Sequence, residues 1–253
     1  MPDAFDRLVD AVTRPRGENP DDPHTVQAMQ IVLHLPKNDP PKRVAALTAA
    51  ARAAVLVCLD HRADQPGAWQ DALTPWYTHR IRKVVRRARN SGWERAQQLA
   101  GVTVDVDGAQ ARAFLPTRMD AVPAELRKLQ VKGTDLPADG ATMADVDASQ
   151  PLILIDASLQ MSAGKAAAQA GHAAMLLAAA WYQRDPASAL QWAADACPLS
   201  VREVSGEEFA QAAALPTAAT VVDAGFTEVA PGAITALGVA RRDLLPGSGH
   251  QPS

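Results

Sequence analysis

Leu152-Ile153-Leu154-Ile155, followed by Met161-Ser162-Ala163-Gly164-Lys165-Ala166-Ala167-Ala168-Gln169-Ala170-Gly171-His172-Ala173-Ala174, is the stretch on which the fold turns. Four consecutive apolar residues are too short for a helix and read as a buried strand, while the alanine-rich run predicts a long helix over residues 164–183. A buried strand leading into a long helix opens an α/β unit. Downstream, the pattern predicts a strand at 199–204, a helix at 206–215 and strands at 219–223 and 234–241. Upstream the same order appears: a strand at 30–35, an alanine-rich helix at 43–57, a strand or helix at 81–89 and a helix at 92–99. A hairpin of 102–106 with 109–115, turning at Asp107-Gly108, completes it. The shared order predicts an α/β chain of two tandem small units, the first a diverged copy of the second. Two unrelated α/β segments are the alternative, because alanine-rich helices resemble one another by chance.

A length of 253 residues allows one large domain or two small ones, and charge separates two halves. The net charge of −3 is the sum of +5 over residues 1–132 and −8 over 133–253. The sign changes at Gly133-Thr134-Asp135-Leu136-Pro137-Ala138-Asp139-Gly140, which has neither helical nor strand period and reads as part of a linker over 133–150. Residues 1–27 read as a mobile arm with a short helix at 5–12, residues 28–132 as the basic unit, 151–242 as the second unit and 243–253 as a tail. Alanine occurs 52 times, so the core is expected to be aliphatic and helix-rich. No membrane span is expected, the nearest candidate being 166–181, which Gln169 and His172 interrupt. Cys58 and Cys197 lack metal-ligand spacing and are too few for a disulfide framework, and a cytoplasmic protein is expected.

Lys165, Gln169 and His172 are spaced i, i+4, i+7 and so line one face of the predicted helix. Gly164-Lys165 at a strand-to-helix turn invites an anion, since a helix N-terminus offers free N–H groups. It is not a Walker A loop, because Leu159 and Ala166 stand where glycine and Ser/Thr are required. The plainer alternative makes Lys165 and Gln169 solvated and His172 a packing residue. A second constellation runs from Val221 to Gly238: Asp223 ends a β-branched strand, Gly225 permits a turn, and Thr227 and Thr235 follow. Strand ends beside a helix N-terminus are where α/β folds place ligands, although an Asx-turn at Asp223 would account for the same residues.

Together the two motifs, in this order and at this separation over residues 152–241, resemble the second, archaeal and eukaryotic class of peptidyl-tRNA hydrolases. The resemblance implies a compact α/β fold with a small mixed sheet. It also implies hydrolysis of the ester joining a peptide to the 3′ end of tRNA, with no metal or cofactor. Lys165, Asp223, Thr227 and Thr235 fall on the family's active-site positions, with Gln169 and His172 beside them in substrate binding. Asp223 would activate water or hold Lys165, Lys165 would face a phosphate or the oxyanion, and the threonines would orient the reactants. Several family positions differ: its arginine falls on Asp156, an aspartate on Ser158, lysines on Gln160 and Ala163, and a glutamine on Glu228. A site with fewer cations should hold tRNA phosphates weakly by itself. The basic run from His79 to Arg89, with six of eleven residues Lys or Arg, is a candidate replacement. Its Arg82, Lys83, Arg86 and Arg87, with Trp76, Tyr77 and Trp93 nearby, suit an RNA surface. A solvated element facing the acidic half is the alternative. If the first unit is a copy, Ala45 stands in place of Lys165 and Arg52 in place of His172, giving a pseudo-dimer within one chain; a homo-oligomer is also possible. The competing functional reading is a non-catalytic RNA-binding or protein-interaction module.

Overall fold

Two mixed sheets, built in the same strand order, enclose a pair of long helices in the computed structural model, which describes residues 2–14, 17–19, 21–140, 142–143, 146–147, 149–223 and 228–240. An N-terminal helix, α1 (Pro2–Thr13), precedes the first unit. That unit contains β1 (Gln27–His34), α2 (Arg43–Leu59), α3 (Ala68–Tyr77), β2 (Lys83–Ala88), α4 (Asn90–Ala96), β3 (Gly101–Val106), β4 (Ala109–Phe114), a short β5 (Thr117–Arg118) and α5 (Ala124–Arg127). The second contains β6 (Leu152–Asp156), α6 (Ala163–Arg184), α7 (Pro186–Ala194), β7 (Ser200–Val204), α8 (Gly206–Ala213), β8 (Ala219–Val222) and β9 (Ile234–Val239).

The sheets run β2-β1-β4-β3 and β7-β6-β9-β8. In each, the first two strands pair in parallel, from Met29↔Lys83 to His34↔Ala88 and from Leu152↔Ser200 to Asp156↔Val204. The parallel pairing requires a crossover, supplied by α2 and α3 in one unit and by α6 and α7 in the other. The remaining pairings are antiparallel: β1 with β4 and β5, β3 with β4, β6 with β9 and β8 with β9. Residues 81–89, ambiguous by pattern, thus contain an edge strand. The hairpin turns as expected, with positive φ at Asp107 (50°) and Gly108 (82°), the geometry that Asp-Gly favours.

Helices α2 and α6 pack against each other, each also touching the other unit's parallel edge strand, α2 on β7 and α6 on β2. Small side chains make this approach possible: a Cβ on Gly171 would lie 3.1 Å from that of Ala54 and 3.2 Å from Lys83 Cδ. The alanine excess therefore serves one core shared by both units, containing Ala50, Ala51 and Ala54 from α2 and Ala170, Ala173 and Ala174 from α6. Among the described residues, the helical stretch long and apolar enough to cross a membrane is Arg43–Asp64, which contains α2, not 166–181, and 78% of its apolar window is buried against protein.

Two expectations require correction. Residues 2–13 are not a separate arm: Phe5 and Leu8 are fully buried in the shared core, and Phe5 stacks on Tyr182 at 4.5 Å between ring centroids. Residues 133–140 lack helix and strand but are more than a spacer. Asp139 Oδ2 accepts the Val44 N–H at 2.8 Å, and Thr134 Oγ1 accepts the Gly164 N–H at 3.0 Å, so the segment caps both long helices. An ion pair between buried Arg43 and half-buried Glu203 joins the units beside it: Arg43 donates to both carboxylate oxygens of Glu203 at 2.8 Å and to the carbonyls of Met161 and Leu136. Residues 241–253, including the expected tail, lie outside the described residues.

Candidate active site

Ser162 starts α6 by accepting the Lys165 N–H on its hydroxyl. Its own N–H and hydroxyl donate to the two carboxylate oxygens of Glu228, at 2.8 and 2.7 Å. A carboxylate is favourable at a helix N-terminus, so Glu228 anchors the returning loop there. With Thr134 on Gly164 and Ser162 on Lys165, this first turn is already capped, and the expected free N–H groups for an anion are instead occupied.

One turn onward, the i, i+4 spacing delivers Lys165 and Gln169 to the same acceptor: Lys165 Nζ and Gln169 Nε2 both donate to Asp223 Oδ2. Asp223 follows the end of β8 and its backbone is fixed by its N–H to Ala233 O, 2.9 Å, and by Gly232 N–H to its own carbonyl, 2.8 Å. The carboxylate is 7% exposed and the Lys165 side chain 14%. Gln169, at 4%, is buried rather than solvated.

These side chains line a cleft of about 870 Å³. The basic segment of the other unit, including Arg80, Arg82 and Lys83, lines the same cleft. Lys83 Nζ and His172 Nδ1 lie 3.1 Å apart, a hydrogen bond crossing from one unit to the other. Desolvation pushes the Lys83 amine down to about 7. Desolvation and the nearby positive charges of Lys83 and Lys165 hold His172 well below its usual range.

The remaining sequence candidates are dispersed. Thr227 lies outside the described residues. Thr235 is fully buried, its hydroxyl has no hydrogen-bond partner among the described residues, and it does not line the cleft. Arg82 pairs with Glu18. Arg86 and Arg87 do not join the cleft wall: Arg86 is 8% exposed and donates to Gln30 Oε1 and Leu129 O, while Arg87 donates to Gln130. Trp76, Tyr77 and Trp93 are only 0%, 5% and 9% exposed, so the expected base-stacking platform is instead core packing. Sequence reading missed the cross-unit contact, although Lys83 and His172 were each singled out.

The family departures also acquire physical reasons. Ala163 is fully buried against Ala45, Ala46 and Leu136, leaving no room for a lysine. Asp156 accepts from the N–H and hydroxyl of Ser158 at 2.9 and 2.6 Å, so these two exchanged positions satisfy each other. Among the described residues no cluster of three or more His, Cys, Asp or Glu is placed to hold a metal ion.

Fold and site thus define a two-unit α/β protein with a lysine–carboxamide–carboxylate cluster on the inner wall of an inter-unit cleft. Residues 150–243 match the peptidyl-tRNA hydrolase PTH2 family, so the second unit carries a PTH2-type domain. The chain is 31% identical over 112 residues to human "Peptidyl-tRNA hydrolase 2, mitochondrial". That match covers 42% of this chain and 63% of the relative.

Proposed function

We propose that the protein hydrolyses the ester between a peptide and the 3′-terminal ribose of tRNA, with residues 151–242 bearing the site and residues 28–132 serving as its accessory half. Convergence of Lys165 and Gln169 on Asp223 inside an open cleft of the PTH2-type unit carries this reading. Asp223 takes the holding role: its Oδ2 fixes the Lys165 ammonium and the Gln169 amide. Lys165 then faces the developing oxyanion, where a preoriented cation is worth more than in water. Water adds to the acyl carbon, the bond to the ribose oxygen breaks, and that oxygen leaves as a hydroxyl. Thr227 retains its assignment to orientation through the family resemblance; Thr235, fully buried and not part of the cleft lining, is left out of that role.

The first unit supplies cations that the second lacks. Arg80, Arg82 and Lys83 line the cleft and give it a positive field in which tRNA phosphates are proposed to approach. Exposed Met119, Val131 and Val222 on the same lining offer apolar contact to the acyl chain. The two units act as a pseudo-dimer with one functional site, descended from a repeat, working in the cytoplasm. Release of peptide from a model peptidyl-tRNA by wild type, Lys165→Ala and Asp223→Ala tests the reading. A wild-type chain inactive where a known PTH2 enzyme works contradicts it.

A second reading is a module that binds RNA or protein without turnover. Burial of Ala163 and the engagement of Asp156 and Glu228 with serines favour it, because these positions no longer carry cationic or amide groups to the site. Binding of tRNA without turnover, weakened by salt, supports this alternative.

A further inference from the structure

We propose that Lys83 is a positioning residue supplied by the first unit to the second unit's site: it fixes the His172 ring with Nδ1 as acceptor and Nε2–H as donor to the cleft. The observation is geometric. Lys83 opens β2, passes its side chain alongside Gly171, and ends with Nζ 3.1 Å from His172 Nδ1. A larger residue at 171 would obstruct it, since a Cβ there would already lie 3.2 and 3.3 Å from Lys83 Cδ and Cε. The Trp76 ring of α3, 5.4 Å from Nζ, lies beside it.

An ammonium has no lone pair and can only donate, so opposite charged Lys83 the Nδ1 of His172 must accept. Nδ1 is then unprotonated and the proton of the neutral ring resides on Nε2. Nε2 has no partner among the described residues, and His172 lines the same cleft as Lys165, Gln169 and Asp223. The ring therefore presents one N–H toward whatever occupies the cleft. Resting on the hydrolase reading, its acceptor is an oxygen of the bound ester. The charged and titratable groups around the pair come from three elements: Cys58 of α2 beside Lys83, Lys83 itself on β2, and Lys165 of α6 beside His172.

Nitrogen NMR of the full chain with ¹⁵N-labelled histidine, near neutral pH, reads the tautomer directly. Wild-type His172 is expected as the Nε2–H form. Lys83→Met keeps an unbranched chain beside Gly171 and is expected to let the Nδ1–H form appear and to lower kcat on the order of 10- to 100-fold, with KM little changed. A wild-type ring protonated on Nδ1 overturns the proposal, as does a tautomer unchanged in Lys83→Met. Because the wild-type spectrum is decisive by itself, a variant that fails to fold does not shelter the idea. Failure of wild type to release peptide would overturn the hydrolase reading instead, and the spectrum distinguishes the two failures.

Discussion

Lys83 has an ordinary value of 10.5 and is brought down to about 7 by desolvation. A lysine depressed in the folded chain binds fewer protons there than when unfolded, so stability rises with pH from about 7 toward the unfolded value. Thiols act in the opposite sense higher up, because burial raises Cys58 from 9.0 to about 11. His172, held low, gains its contribution as pH rises toward its ordinary 6.5, and that contribution levels off above it. Between pH 7 and about 8.5 the slope thus belongs chiefly to Lys83, and Lys83→Met is expected to flatten it, as measured by denaturant midpoints across that range. At this scale the sequence revealed the stripe of Lys165, Gln169 and His172, because helical spacing is local. It did not reveal that Gln169 is buried, since its acceptor Asp223 is 54 residues away in the chain. Nor did it reveal the pairing of Lys83 with His172, which depends on two sheets meeting across two helices.

Among the elements, α6 carries both the site and the contact with the first unit, and its first turn shows how the two demands compete. The family resemblance implies a lysine at residue 163, whereas Ala163 is fully buried beneath the first unit's Ala45 and the linker's Leu136. Restoring it as Ala163→Lys is expected to destabilise the chain by about 3 kcal/mol or more, through overpacking and an unpaired buried amine, without improving tRNA binding. Chemical denaturation and a tRNA titration on the same preparation check both halves of this outcome. Strand and helix order was legible because Leu152–Ile155 and the alanine runs have clear periods. The N-terminal helix reads as part of an arm because nothing in residues 2–13 announces that Phe5 stacks on Tyr182.

For the whole molecule, opposite net charges on the halves proved less informative than one specific ion pair. Arg43 meets both oxygens of Glu203 and two backbone carbonyls at the junction of the units, its side chain 9% exposed. Arg43→Ala leaves that carboxylate without its partner and is expected to cost about 3–5 kcal/mol. Because the helices of both units share one core, unfolding is expected as a single transition, with tryptophan fluorescence and far-UV circular dichroism coinciding in wild type and variant. Separate transitions would indicate independent units. The most direct measurement remains peptide release from peptidyl-tRNA. Wild type is expected to turn over, with Lys165→Ala lower by roughly 10²- to 10³-fold and Asp223→Ala similarly impaired while both stay folded. Release by Lys165→Ala at the wild-type rate, or none by wild type where a PTH2 enzyme is active, would contradict the assignment of this cleft as a hydrolytic site.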